Sequence, residues 1–278
     1  MTYPRCMHAP GRLRARRLWL PMLGAALAVA AVFAVAVLRP WSAPPPAAPA
    51  AVADGPVSEE IMPAPLVLPD DARVLVFGDS WVYGSAANQP TLGFAYLLAD
   101  ELGVQTIVDG VRGSGYLKPG VDGPAYGERI EQLDPALDPD VIIVEGSIND
   151  RRLYPAGYRE AVTAAWDALA SLYPDAAIVV LGPAPQVLPV EEPTRAIDAD
   201  LRALAGERGW WYISPIADDW ITDANYLDVI DTSDLGNDHP STEGHAYLSV
   251  RVAEALRAMA VQPDAVADAP LDEDVVTP

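Results

Sequence analysis

The sequence predicts one α/β domain in which helices cover both faces of a parallel sheet of about five strands. Short apolar runs such as residues 141–144 show no alternation with polar residues, which indicates strands buried on both faces. Between these runs, apolar residues recur at helical spacing, as they do at Tyr158, Val162 and Trp166. Because the two patterns alternate along the chain, we predict a three-layer α/β/α sandwich.

The elements follow from these patterns in chain order. We predict strands at residues 73–77, 104–108, 141–144, 177–181 and 210–213. We predict helices at residues 91–102, 158–172, 193–208 and 242–259. Ser241 is expected to cap the last helix, since a serine hydroxyl accepts hydrogen bonds from the N–H groups of a first helical turn.

The segment at residues 18–38 predicts a membrane anchor. It contains 21 residues without a charge, enough to cross a hydrocarbon core of about 30 Å. Five arginines lie within residues 1–17, so the positive-inside rule places this basic tail in the cytoplasm and the rest of the chain outside the cell membrane. A signal peptide cleaved after Ala53 is the alternative, and it also exports the domain, as a secreted protein.

The remaining segments flank one domain. Residues 39–71 are rich in proline and alanine and predict an extended linker. Residues 72–261 form the predicted catalytic domain, and residues 262–278 form a disordered acidic tail. No pattern in the sequence indicates an oligomeric state.

Charge and cysteine content exclude several classes of function. The formal net charge is −21, and 12 basic side chains face 39 acidic ones after residue 40. A surface this acidic repels nucleic acid, so we expect no nucleic-acid partner. The single cysteine, Cys6, precedes the apolar segment, which leaves the domain without thiol chemistry.

Three short segments carry the chemistry. Ser80 follows the first predicted strand in Gly78-Asp79-Ser80, and Asn149 follows the third in Ser147-Ile148-Asn149-Asp150. Both therefore lie at the carboxyl edge of the sheet, where open α/β folds keep their reactive groups. A serine needs a base and a developing oxyanion needs donors, and His239 near the last helix supplies a candidate base. These residues predict a serine esterase that acts on a small-molecule, glycan or lipid acyl ester.

The order of these segments resembles the SGNH hydrolase superfamily, the GDSL-type esterases and lipases, over roughly residues 72 to 260. The resemblance implies a flavodoxin-like sheet, Ser80 as nucleophile and His239 as base. It also implies an oxyanion hole built from the Ser80 and Gly113 N–H groups and the Asn149 amide. Ser147 stands where this superfamily usually has a glycine.

The acidic member of the implied triad is left open, because Gly236 occupies the position expected for an aspartate in Asp-x-x-His-Pro. Asp234 is five residues before His239, and a bulge at Gly236 would absorb the extra spacing. Asp238 is adjacent to His239, but neighbouring side chains in an extended loop point apart. A backbone carbonyl is the third option and would make a Ser-His dyad. We favour Asp234 slightly over Asp238.

His245 is the other histidine of the exported region, and we expect it to pack or cap rather than to act as the base. We expect no cofactor and no metal site.

Two alternative functions fit the same residues. An O-acyltransferase that passes the acyl group to cell-envelope glycans would use the same acyl-enzyme, and a catalytically decayed SGNH domain would act as a binding module.

Overall fold

A computed structural model describes residues 63–260 of the chain. The basic tail, the apolar segment at residues 18–38, most of the linker and the acidic tail lie outside these residues, so the predictions made for them stay predictions. No helix between residues 63 and 260 is both long and apolar enough to cross a bilayer.

The predicted sheet is confirmed. Within residues 63–260, five strands pair in parallel in the order β2-β1-β3-β4-β5, the flavodoxin-like order. The strands are β1 (Arg73–Gly78), β2 (Gln105–Gly110), β3 (Val141–Glu145), β4 (Ala177–Leu181) and β5 (Trp211–Ile213).

Helices cover both faces of this sheet. The helices between residues 63 and 260 are α1 (Ser80–Tyr83), α2 (Phe94–Leu102), α3 (Tyr126–Glu131), α4 (Tyr158–Leu172), α5 (Glu192–Glu207), α6 (Tyr226–Val229) and α7 (Thr242–Ala260). One face packs on α2 and α7 and the other on α3, α4 and α5. The three-layer prediction is therefore correct, although α1, α3 and α6 are too short to show a helical period in the sequence.

Strand β1 joins the two cores. Val74 and Val76 contact the layer of α2 and α7, whereas Leu75 and Phe77 contact the opposite layer, and all four side chains are inaccessible to solvent. Burying each of these side chains fully contributes about 1.5 to 3 kcal/mol. The apolar run before Ser80 thus lies at the centre of the domain and anchors the start of the following turn.

The strand order reverses beside β1, since β2 lies on one side of it and β3 on the other. A crevice opens at such a point because the segments after the two strands leave in opposite directions. Asp79 and Ser80 follow β1, and a 3₁₀ turn at Ile148–Arg152 follows β3. The topology therefore brings the two predicted motifs to one crevice.

A second, two-stranded sheet was not predicted. Strand β6 (Ile230–Asp231) pairs antiparallel with β7 (His239–Pro240), in register Asp231 to His239. Strands of two residues carry no readable periodicity. Immediately after β7, the Ser241 hydroxyl accepts a hydrogen bond from Gly244 N at 3.0 Å, which confirms the predicted cap of α7.

His245 is fully buried on the first turn of α7. Its Nδ1 accepts a hydrogen bond from Phe94 N at 3.2 Å, and its Nε2 donates to the carbonyl oxygen of Ser85 at 3.0 Å. The two ring nitrogens therefore join α7 to the start of α2 and to the loop after α1, as expected for a packing residue. Burial lowers the pKa of His245 to about 4.

This histidine makes stability depend on pH. Its pKa is lower in the folded chain than in the unfolded chain, where it is about 6.5, so the unfolded chain binds more protons between these values. The stabilisation is complete above pH 6.5 and is lost as the pH falls towards 4, by about 3 kcal/mol in total. Urea unfolding of wild type and His245→Gln at pH 4.5 to 7.5 measures the free energy of unfolding. This free energy should fall less steeply with decreasing pH in the variant. Parallel curves would contradict this assignment.

Candidate active site

Ser80 begins α1 directly after β1. Asp79 is the N-cap of this helix, and its Oδ1 accepts a hydrogen bond from Trp81 N at 2.9 Å. Ser80 is 5% exposed and lines the crevice. Because the capped turn fixes the backbone on both sides of Ser80, the hydroxyl has a defined position at the carboxyl edge of the sheet.

His239 reaches Ser80 from strand β7, 159 residues later in the chain. The distance from His239 Nε2 to Ser80 Oγ is 2.9 Å. His239 Nδ1 lies 3.0 Å from the carbonyl oxygen of Gly236 and 2.9 Å from that of Asn237. Carbonyl oxygens only accept hydrogen bonds, so Nδ1 carries the hydrogen and Nε2 presents its lone pair to the serine hydroxyl.

The preference for Asp234 or Asp238 as the partner of His239 does not agree with this geometry. Neither carboxylate hydrogen-bonds to the imidazole in the described chain; the third option, a backbone carbonyl, is the one observed. Asn237 and Asp238 both adopt left-handed φ angles, +49° and +58°, so the loop coils back beneath the ring and directs carbonyls at it. The side chain of Asp238 lines the crevice instead.

Gly236 is required by the same coil. A Cβ built on it would lie 2.2 Å from Cγ of Asp231 and 2.4 Å from the Asp231 carbonyl oxygen. Asp231 is held by its pairing with His239 and by an Asp238 N–H hydrogen bond to its carbonyl. An aspartate at position 236 is therefore excluded by contact, which explains the departure from the Asp-x-x-His-Pro pattern.

The three predicted oxyanion donors line the same crevice. Gly113 has φ +73°, a conformation that favours glycine, and neither its N–H nor that of Ser80 donates to an acceptor among residues 63–260. Asn149 Nδ2 donates to Asp79 Oδ2 at 2.7 Å and to the Ser114 carbonyl at 3.0 Å. Both amide hydrogens are engaged, so an oxyanion has to share one of these hydrogens with its present acceptor or replace that acceptor.

A buried pair of carboxyl groups lies beneath Ser80. Glu145, the last residue of β3, accepts a hydrogen bond from Asp79 N at 3.2 Å, and both side chains are buried. Burial raises the pKa of Glu145 well above its usual range, and the adjacent Asp79 carboxylate raises it further. Burial also raises the pKa of Asp79, but the Trp81 N–H and His239 act in the opposite direction. Glu145 is therefore the carboxyl group of the pair that is protonated more readily.

Asp150 organises the loop that carries Gly113. Its two oxygens accept hydrogen bonds from the backbone N–H groups of Tyr116, Leu117 and Lys118 at 2.7 to 3.1 Å. Ser147 Oγ donates to Asp150 Oδ2 at 2.7 Å. The serine in place of the usual glycine thus completes the coordination of this buried carboxylate.

The crevice is a cleft of about 960 Å³. Tyr83 lines it, whereas Trp81 and Tyr116, the other aromatic residues near the motifs, are buried in the two cores. No group of three histidine, cysteine or acidic side chains in the described chain is placed to hold a metal ion. The site thus offers a hydroxyl, a base and hydrogen-bond donors, which are the groups that acyl transfer through a covalent intermediate requires.

Comparison with known proteins agrees with this arrangement. A model of the GDSL-like lipase/acylhydrolase family matches residues 76–247, which include Ser80, Asn149 and His239. The chain belongs to this family. It is accordingly a hydrolase of the GDSL/SGNH esterase type.

Related proteins extend this comparison. A GDSL lipase of Mycobacterium tuberculosis is 29% identical over 195 residues, which cover 66% of this chain and 80% of the lipase. An aryl esterase of M. smegmatis superposes with a TM-score of 0.53 at 19% identity, covering 68% of this chain and 99% of its own. A carbohydrate acetylesterase of Sinorhizobium meliloti gives 0.52 at 17% identity, over 68% and 99%. The two structures share the fold of this GDSL/SGNH domain.

Sequence reasoning missed Glu145 and the contact between Asp79 and Asn149. One signal for Glu145 was readable, namely a charged residue that ends an otherwise apolar strand at Val141–Glu145. Two residues 70 positions apart, Asp79 and Asn149, show no joint pattern in the sequence, because the contact depends on the pairing of β1 with β3.

The carbonyl contacts of His239 Nδ1 predict that neither Asp234 nor Asp238 is essential. Asp234→Asn and Asp238→Asn should each retain most of the wild-type kcat, whereas loss of a true carboxylate partner costs on the order of 10⁴ in kcat. Steady-state hydrolysis of a 4-nitrophenyl ester measures both. A loss of several orders of magnitude in either variant would restore that aspartate as the partner.

Gly236→Asp and Gly236→Ala provide the matched pair for this prediction. Both add a Cβ that meets Asp231, so both should lower kcat and the melting temperature. A gain in kcat confined to Gly236→Asp would mean that the loop accepts a carboxylate partner after all.

Proposed function

We propose that this GDSL/SGNH hydrolase cleaves acyl esters with Ser80 as nucleophile and His239 as general base. The supporting observation is the 2.9 Å contact between Ser80 Oγ and the Nε2 of an imidazole whose Nδ1 is held by two carbonyls. Nε2 removes the proton as Oγ attacks the ester carbonyl, and it returns this proton to the leaving alcohol. Water activated by the same nitrogen then releases the acyl group from Ser80.

Two charges develop during the attack, and each has a partner in the site. The oxyanion forms beside the N–H groups of Ser80 and Gly113 and the amide of Asn149. The imidazolium is stabilised by the dipoles of the Gly236 and Asn237 carbonyls and by the attraction between Asp79 and His239. In this mechanism the buried Asp79 supplies the negative charge that a triad aspartate supplies elsewhere.

Apolar side chains at the cleft suit the acyl part of an ester. Three of the large apolar residues exposed in the described chain line this cleft, namely Val121, Leu153 and Leu235, and Leu235 is 95% exposed. Exposure of this kind beside a reactive serine is consistent with contact to an acyl chain. The same acyl-enzyme would serve an acyltransferase, and product analysis with a glycan acceptor separates transfer from hydrolysis.

We also propose that the enzyme is anchored in the cell membrane with its catalytic domain outside. The proposal rests on the uncharged segment at residues 18–38 and the five arginines before it. Fractionation should find the full-length chain in the membrane pellet. Quantitative release of a chain that starts near Asp54 would overturn the anchor and leave export intact.

The nucleophile is tested directly by Ser80→Ala. A fluorophosphonate probe should label wild type at Ser80, and the variant should lose both labelling and ester turnover. Asp219→Asn, on the surface outside the cleft, is the control and should behave as wild type. Turnover by Ser80→Ala at a near wild-type rate would refute the mechanism.

Asn149→Ala tests the oxyanion hole. If the amide stabilises the oxyanion, its removal should cost about 2.7 to 4 kcal/mol, or about 10² to 10³ in kcat, with KM nearly unchanged. An effect confined to KM would instead assign Asn149 to substrate binding in the ground state.

A further inference from the structure

The cleft has the opposite charge to the rest of the domain. Of the 12 basic side chains after residue 40, four line the cleft, namely Arg112, Lys118, Arg151 and Arg152. Asp238 is the one carboxylate among the described residues that line it, although 39 acidic residues follow residue 40. Basic side chains are thus concentrated where the ester binds.

Two of these cations are already neutralised by carboxylates. Arg112 pairs with Asp122 at 2.6 Å, and Arg151 pairs with Glu191 at 2.8 Å. Lys118 and Arg152 form no ion pair with any residue of the described chain, and both are exposed. Their charges are therefore available to a bound molecule.

Lys118 is the single lysine of the 278-residue chain. Its Nζ lies 3.7 Å from a Cβ built on Gly113, the proposed oxyanion glycine. Its backbone is fixed by the hydrogen bond from Lys118 N to Asp150 at 3.1 Å and by the one that its carbonyl accepts from Gly115 N at 2.8 Å. The ammonium group of Lys118 thus lies within a few ångströms of Gly113.

A net charge of −21 does not by itself keep an anion out of the cleft, because exposed charges act over short distances. Exposed charges are largely screened beyond about 8 Å at physiological ionic strength. An anionic group next to Lys118 is therefore attracted by that ammonium, and exposed carboxylates more than about 8 Å away repel it only weakly.

We propose that the cleft takes esters that carry a negative charge close to the scissile bond, with Lys118 and Arg152 as the residues that recognise the anionic group. This proposal rests on the proposed function, in which Ser80 attacks the ester. Combined with the apolar residues at the cleft, it describes an ester with both an apolar part and an anionic group.

Two pairs of matched esters test the proposal on the full-length enzyme. On the acyl side, the 4-nitrophenyl monoester of adipic acid is compared with 4-nitrophenyl hexanoate. On the alcohol side, 4-acetoxybenzoate is compared with 4-acetoxybenzamide. At least one anionic ester should have the higher kcat/KM, and the pair that shows the preference locates the charge on the acyl or the alcohol part.

Charge-removing variants assign that preference to residues. Lys118→Met and Arg152→Met should each lower the anionic-to-neutral ratio of kcat/KM roughly fivefold, while Lys118→Arg keeps it. Arg195→Met, an exposed arginine outside the cleft, is the control and should leave the ratio and both rates unchanged. Equal losses on both members of each pair in Lys118→Met would overturn recognition and assign Lys118 to the stabilisation of the transition state.

A binding measurement separates this proposal from catalysis. Reductive methylation with ¹³C-formaldehyde labels Lys118 and the N-terminal amine and preserves the positive charge. In the Ser80→Ala variant, 4-acetoxybenzoate or the adipate monoester should shift the Lys118 methyl signal, and the neutral partner should not. A selective shift of the Lys118 methyl signal, together with no hydrolysis of the esters by wild type, would refute the proposed hydrolysis and still support anion binding. Neutral preference in turnover, or no selective shift, would overturn anion recognition.

Discussion

The buried carboxylate of Asp79 is the constraint on which the rest of the site depends. It caps the turn that presents Ser80, accepts a hydrogen bond from Asn149 and attracts His239. A charge in this position would be costly if it were unpaired. Glu145 lies beneath it, and the raised pKa of Glu145 favours its protonation, which limits the repulsion between the two buried carboxyl groups. Ser80, Asn149 and His239 are therefore arranged around the carboxylate of Asp79.

This arrangement explains how the site functions without an aspartate that is hydrogen-bonded to His239. The acidic residue of a triad fixes the tautomer of the imidazole and stabilises the imidazolium. Here the first task falls to the carbonyls of Gly236 and Asn237, which the β6–β7 connection directs at Nδ1. In the proposed mechanism, the second falls to the same dipoles and to Asp79. Gly236 is then a requirement of the coil, since a side chain at this position would contact Asp231.

Much of the fold could be predicted because apolar patterns and strand lengths are local. The strand at Ala177–Leu181 was predicted with its observed bounds, and the last helix differs by one residue at its end. The short elements, such as β6 and β7, were missed because two residues show no periodicity. For the site, the order of the motifs along the chain predicted that Ser80, Asn149 and His239 lie together, and the structure places all three in one crevice. The partner of His239 could not be predicted, because it depends on the φ angles of Asn237 and Asp238.

The tautomer of His239 is the most direct test of a base held by carbonyls. ¹⁵N NMR of the histidine side chains at neutral pH should show a protonated Nδ1 and an unprotonated Nε2 for His239. His245 provides an internal reference of the opposite tautomer, because its Nδ1 accepts a hydrogen bond and its Nε2 donates one. Signals that assign the proton of His239 to Nε2 would contradict the account, since that nitrogen could then not accept the proton of Ser80.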